Sequence, residues 1–188
     1  MQEPLEFYKQ HKEEYNKRLL KKVDLRRKKV RNGTYNPGRY LIQGSRKFLQ
    51  ELNSRQLQIC LVSGTDHPDI IEEAELLGVK EYFSLIKGAP VKSMDSSKEK
   101  VLKHLLKEEN FEPSQMVIIG DGKVEISLAA EKGIPSLGMA TNVKTGRGVD
   151  EWKRNRLIEA GANAICGDFI NYKKILEWLD IDYKFEEA

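Results

Sequence analysis

Met116-Val117-Ile118-Ile119-Gly120-Asp121-Gly122-Lys123-Val124-Glu125 decides how this chain reads. Four apolar residues in succession predict a short buried strand, and the two glycines let the backbone turn tightly where it ends. Asp121 and Glu125 stand four apart at the start of a helix expected over 124–132, so their carboxylates share one helix face. Two carboxylates placed in this way can hold Mg²⁺, a hard cation that takes oxygen ligands and keeps much of its own water. The competing reading makes Asp121 a helix cap and Glu125 a solvated acid of the first turn.

Outward from this stretch, short apolar runs alternate with helical patterns. Downstream, the helix over 124–132 stops at Gly133, and Ile134 to Met139 forms the next strand. A polar loop over 141–150, a helix over 151–160, a weak strand over 162–166 and a helix over 171–179 complete the chain. Upstream, helices are expected over 97–109 and 44–54, the latter burying Phe48, Leu49 and Leu52. Leu57 to Val62 reads as a strand ending at Ser63-Gly64-Thr65. A helix then opens at Asp66-His67-Pro68-Asp69, with Asp66 as cap and Pro68 in the first turn, and runs to Leu77 before Gly78. Alternation of this kind predicts an α/β layered fold with a mainly parallel sheet and flanking helices.

In such sheets ligands bind beyond the carboxyl ends of the strands. Ser63-Gly64-Thr65 leads into a helix N-terminus, whose free N–H groups and dipole suit a phosphate; an ordinary helix cap is the alternative. Lys98 follows the polar run Ser93-Met94-Asp95-Ser96-Ser97 and is placed to reach a phosphate oxygen, with Lys92 as a nearby competitor. A solvated lysine is the plainer reading of Lys98 taken alone.

In this order and spacing the three pieces resemble motifs two, three and four of the haloacid dehalogenase superfamily. The similarity is to its phosphoglycolate-phosphatase-like and β-phosphoglucomutase-like members. Tyr40-Leu41-Ile42-Gln43-Gly44, Glu75-Leu76-Leu77-Gly78 and Ala129-Ala130-Glu131-Lys132-Gly133 match their habit too, so the resemblance covers roughly residues 40–180. It implies a Rossmann-like core and Mg²⁺-dependent hydrolysis or transfer of a phosphoryl group on a small phosphorylated metabolite. Ser63, Gly64 and Thr65 would bind the phosphoryl group. Lys98 would stabilise its charge, and Asp121 and Glu125 would hold Mg²⁺ directly or through water.

The family's first motif, a strand ending in Asp-x-Asp-x-Thr/Val, has no counterpart at the expected place. Its first aspartate is the nucleophile. The single Asp-x-Asp of this sequence, Asp180-Ile181-Asp182, follows a helix, and Lys184 stands where Thr or Val is expected. Without the aspartate, covalent catalysis and one metal ligand are lost together, so the chain alone is expected to be inactive. The resemblance also places the lost strand centrally, between the strands ending at Ser63 and Gly120. Those two strands would pair directly, or take a strand from another segment or a partner chain. The runner-up is a non-catalytic member that binds a phosphorylated ligand or a protein.

The 188 residues suffice for a core, and 39% hydrophobic content is too high for a disordered chain. No apolar run approaches the roughly 20 residues of a membrane span, and no signal-peptide pattern opens the chain. Cys60 and Cys166 lie in separate apolar runs and read as buried thiols of a reducing compartment, which points to the cytoplasm. The net charge of +3 divides unevenly: residues 1–31 carry +6, nine Lys or Arg falling within 15–31 against Asp24 alone. Residues 5–30 read as helix with a thin apolar stripe, and Asn32 to Gly38 breaks it. The division expected is a basic helical cap remnant over 1–36 and an α/β core over 37–188. The aromatics Phe7, Tyr8 and Tyr15 precede the basic run rather than interleave with it, which favours a solvated cap helix over a nucleic-acid arm. Three further readings fail on residue type. Glu125 falls where a dinucleotide fingerprint needs its third glycine. Leu61 and Thr65 flank Ser63 where a serine hydrolase needs glycines. The histidines His11, His67 and His104 show no metal spacing.

Overall fold

The computed structural model describes Glu14, Arg18 and residues 21–90, 98–108 and 112–180. It divides into two compact units, Met1–Arg39 and Tyr40–Ala188. In the first, helix α1 covers 21–31 and buries Val30, while Lys21, Lys22, Lys28, Lys29 and Arg31 are exposed. It stops at Asn32-Gly33, where Gly33 takes φ +74° and the Asn32 side chain accepts from the backbone and hydroxyl of Thr34. The Tyr35 ring is met by the Lys29 ammonium at 4.9 Å and the Arg39 guanidinium at 4.7 Å. Residues 5–13, 15–17, 19 and 20 of the expected helix lie outside the described residues.

The second unit is α/β, as the alternation predicts. Its elements run α2 (Ser45–Ser54), β1 (Cys60–Asp66), α3 (His67–Leu76), β2 (Leu85–Ala89), α4 (Lys98–Glu108), β3 (Ile118–Gly120), α5 (Lys123–Lys132), β4 (Ser136–Met139), α6 (Glu151–Glu159), β5 (Ala164–Cys166) and α7 (Tyr172–Trp178). Helices α3 and α5 end as the glycines dictate, with Gly78 at φ +61° and Gly133 at φ +68°. Arg46 of α2 secures the end of α3 by donating to the carbonyls of Leu77, at 2.6 Å, and Gly78. Helix α2 itself buries Phe48 and Leu52, while Leu49 is only half-buried.

All strand pairings are parallel, but they fall into two sheets: β1 with β2, and β3 with β4 and β5. Among the described residues β1 pairs only with β2, and β3 only with β4. One layer of helices covers both sheets, for α4 packs on β1 and β2 and also on α5, which lies on β3 and β4. Side chains from β1, from the residue just before it and from β3 enter shared cores. Val62 packs against the cluster of Leu102, Ile118, Leu128, Ala129 and Ile134, and Ile59 and Ile119 both pack against that of Phe48, Leu137, Met139 and Leu176. Among the described residues, one edge of β1 and one edge of β3 have no strand partner.

Three expectations need correction. Strand β1 begins at Cys60 rather than Leu57 and runs through Ser63-Gly64-Thr65 to Asp66. The register explains this: Val62 faces Lys87 and Asp66 faces Ala89, so Ser63 to Thr65 bulge out of the ladder rather than leave it. Strand β2 was not expected; it is short, and its apolar run is cut by Lys87 and Gly88. Both cysteines are half-buried and outside any disulfide among the described residues, and the Cys166 thiol donates to the Asp168 carbonyl at 2.7 Å. Among the described residues no helix is long and apolar enough to cross a membrane.

Candidate active site

The Ser63–Thr65 bulge sits at the carboxyl end of β1, just before the first turn of α3. Gly64 and Thr65 are exposed. Ser63 Oγ accepts the Thr65 N–H at 3.1 Å, which folds the bulge into a tight hydroxyl-closed turn. Accepting that bond leaves the Ser63 O–H free to donate to an incoming oxygen. Asp66 occupies the N-cap position of α3 with φ −52° and ψ 137°, yet its carboxylate makes no capping hydrogen bond, contrary to expectation. His67 Nδ1 accepts the Gly88 N–H at 3.2 Å and ties α3 to β2. Its neighbours Ile71, Glu75, Lys80, Phe83 and Ile86 line with it a groove of about 620 Å³ that contains none of the predicted site residues.

At the carboxyl end of β3 the geometry differs from the expected one in an informative way. Neither Gly120 nor Gly122 has a positive φ, so turning is not what the glycines are for. They leave room for Glu125. A Cβ on Gly120 would overlap the Glu125 Cγ, and one on Gly122 would lie 2.7 Å from its Oε2. Gly122 is the N-cap of α5, and Glu125 Oε1 accepts its N–H at 2.9 Å, the carboxylate half of a capping box. Glu125 is only 3% exposed, so it is no solvated first-turn acid.

Asp121 is not the cap either. Its side chain is 63% exposed, and its Oδ2 lies 3.8 Å from the ammonium of Lys153 on α6. Lys153 is a residue the sequence reading missed, since it stands 32 positions away with no local signal. Among the described residues no hydrogen bond or ion pair joins the Ser63–Thr65 bulge to Asp121. Lys98 opens α4; its side chain, the run 93–97 and Lys92 lie outside the described residues. No group of three or more His, Cys, Asp or Glu side chains gathers for a metal among the described residues.

The sequence profile of haloacid dehalogenase-like hydrolases matches residues 2–139, almost three quarters of the chain. The chain belongs to the haloacid dehalogenase-like hydrolases. Within that family it is 25% identical over 113 residues to phosphoglycolate phosphatase of Escherichia coli strain K12, an alignment covering 60% of this chain and 45% of that enzyme. A predicted phosphatase from Clostridium acetobutylicum has the same fold, with TM-score 0.59, 24% identity, and coverage of 72% of this chain and 59% of that one. β-Phosphoglucomutase from Clostridium difficile follows at TM-score 0.52 and 18% identity, covering 76% of this chain and 57% of that one. The chain thus spans about half the length of the relatives it matches.

Phosphatases of this haloacid dehalogenase-like family generally use Mg²⁺. The exposed carboxylate of Asp121 at a strand end fits an ion that takes oxygen ligands and keeps several waters. Glu125, with Oε1 engaged on the Gly122 N–H, fixes the turn that presents Asp121.

Proposed function

We propose that this chain carries the phosphoryl-binding and metal-holding parts of a Mg²⁺-dependent phosphohydrolase of small phosphorylated metabolites. We infer that it does not turn over until a strand bearing a nucleophilic aspartate fills the gap between β1 and β3. The observation that supports this reading is the division of the strands into two parallel sheets, with the Ser63–Thr65 bulge in the last part of β1 and the Gly120–Gly122 turn at the end of β3. Ser63 donates its hydroxyl to a phosphoryl oxygen, with the exposed Gly64 and Thr65 beside it. Lys98, at the start of α4, adds a positive charge on the same anion, as a lysine does in phosphoryl transfer. Asp121 holds Mg²⁺ and Glu125 keeps its turn in shape. When bound, the ion neutralises charge that builds on the phosphoryl oxygens. The nucleophile must come from the added strand, in cis or from a partner chain, because the one Asp-x-Asp present lies at 180–182.

The deciding experiment is p-nitrophenyl phosphate hydrolysis with Mg²⁺, run with and without a peptide of the form apolar strand–Asp-x-Asp-x-Thr. The chain alone should be silent, and the peptide should restore turnover that Asp121→Ala abolishes. Turnover by the chain alone, lost in Asp121→Ala, would refute the need for an added strand. Silence in both conditions, with inorganic phosphate still bound, would replace hydrolysis by a ligand-binding role.

A further inference from the structure

We propose that Asn32-Gly33, at the end of α1, is a self-modifying site, where the Gly33 backbone nitrogen attacks the Asn32 side-chain carbonyl and the amide becomes a carboxylate. The site lies wholly within the first unit and is independent of the phosphoryl chemistry. A contrast among three asparagines carries it.

Asn32, Asn36 and Asn142 each fold the side chain back along the chain. Their Oδ1 atoms accept the N–H two residues on, at 3.1, 2.8 and 3.0 Å. This turn holds the side-chain carbonyl beside the intervening peptide nitrogen. What stands at that nitrogen differs. After Asn36 it is Pro37, which has no N–H to give up, and after Asn142 the β-branched Val143 crowds the approach. After Asn32 it is Gly33, at φ +74° and with nothing within 4 Å of where a Cβ would stand. Asn32 also has a second donor, for the Thr34 hydroxyl reaches the same Oδ1 at 2.6 Å. Two donors thus converge on the oxygen that becomes the oxyanion when the carbonyl is attacked. Asn32, Gly33 and Thr34 are all exposed, so solvent base and water reach them.

The Gly33 nitrogen gives its proton to a solvent base and forms a bond to Asn32 Cγ. The Cγ–Nδ2 bond breaks, and Nδ2 takes a proton from water and leaves as ammonia, which closes a cyclic imide. Water then opens the imide at either carbonyl, leaving an aspartate or an isoaspartate. The Gly33 N–H donates to the Val30 carbonyl at 3.0 Å, so this bond at the end of α1 opens first, as helix ends do when they fray. Either product lowers the charge of the basic first unit by one. It also puts an anion at the C-terminal end of α1, where the helix dipole disfavours it. The isoaspartate adds a main-chain carbon between α1 and Tyr35 as well.

The test is ageing of the full chain at mildly alkaline pH, for wild type, Thr34→Val and Gly33→Ala. Acid-protease peptide mapping by mass spectrometry reads each asparagine, and circular dichroism melts confirm that each variant is folded. Asn32 should convert ahead of Asn142, while Asn36 stays intact. Thr34→Val should convert about three- to ten-fold more slowly than wild type, the worth of one hydrogen bond in the transition state. Gly33→Ala should lose most of the conversion. In urea, where the turn is gone, wild type and Thr34→Val should react at the same rate. An unconverted Asn32 in the folded chain overturns the proposal, as does equal conversion of folded wild type and Thr34→Val. A Thr34→Val deficit that persists in urea overturns it too, since the effect would then belong to the local sequence and not to the turn.

Discussion

Glu125 Oε1 accepts the N–H of Gly122 at 2.9 Å while the residue is 3% exposed, so a buried carboxylate closes the turn that presents Asp121. Substitution by alanine orphans that N–H and empties the space the two glycines make. Glu125→Ala should cost about 1–3 kcal/mol in urea unfolding, and Glu125→Gln, whose amide oxygen still accepts, should cost less. Equal losses for both would show that volume rather than the hydrogen bond matters.

Gly44 and Gly133 both hold a left-handed backbone, at φ +82° and +68°, but their surroundings differ. A Cβ on Gly44 would overlap the carbonyl of Phe169, whereas one on Gly133 meets nothing within 4 Å. Gly133→Ala should therefore cost only the backbone strain, about 1–2 kcal/mol. Gly44→Ala should cost clearly more, with the melting temperature falling further in the same buffer.

Phe48 and Phe169 stack with centroids 4.8 Å apart and planes 17° from parallel, joining α2 to the segment after β5. Phe48→Ala should lose about 3–5 kcal/mol of stability, with Phe48→Leu recovering most of it in the same denaturant titration.

On the surface of α2, hydrogen bonds from Arg55 first, and then Lys47, hold the Glu51 carboxyl below its ordinary pKa. Lys47 is raised in turn, mainly by its hydrogen bond to Glu51. Because the folded pKa of Glu51 is depressed, its contribution is present above the unfolded value of about 4.3 and disappears as pH falls through the folded one. Wild type should be slightly more stable than Glu51→Gln at pH 7, and the difference should vanish once the pH has fallen through the depressed folded pKa. A difference that persists in acid would exclude the charge as its source.

The layered α/β class, the helix stops at Gly78 and Gly133 and the strand that stops just before Asp121 are all legible in the sequence, because glycine punctuation and short apolar runs are local signals. Strand β2 is not, since its pairing with β1 rather than its own composition makes it a strand. The bulge at Ser63–Thr65 is set by the same pairing and is equally silent in the sequence. Glu125 was visible as a carboxylate four residues from Asp121, but its burial depends on two missing Cβ atoms. Lys153 reaches Asp121 only because α6 is anchored near the end of β4. Local pattern cannot carry a contact across 32 residues.

The proposed strand between the two sheets makes its delivery a question of concentration. Among the described residues one edge of β1 and one of β3 have no strand partner, and under the proposed function an extended apolar segment would take that place. A strand carried on the same polypeptide would meet it at an effective concentration on the order of millimolar, and a separate peptide would need comparable levels to compete. On that proposal, copies of this chain would be alternative guests for one another as the protein is concentrated. Its solubility and its oligomeric state should therefore respond to the same added strand.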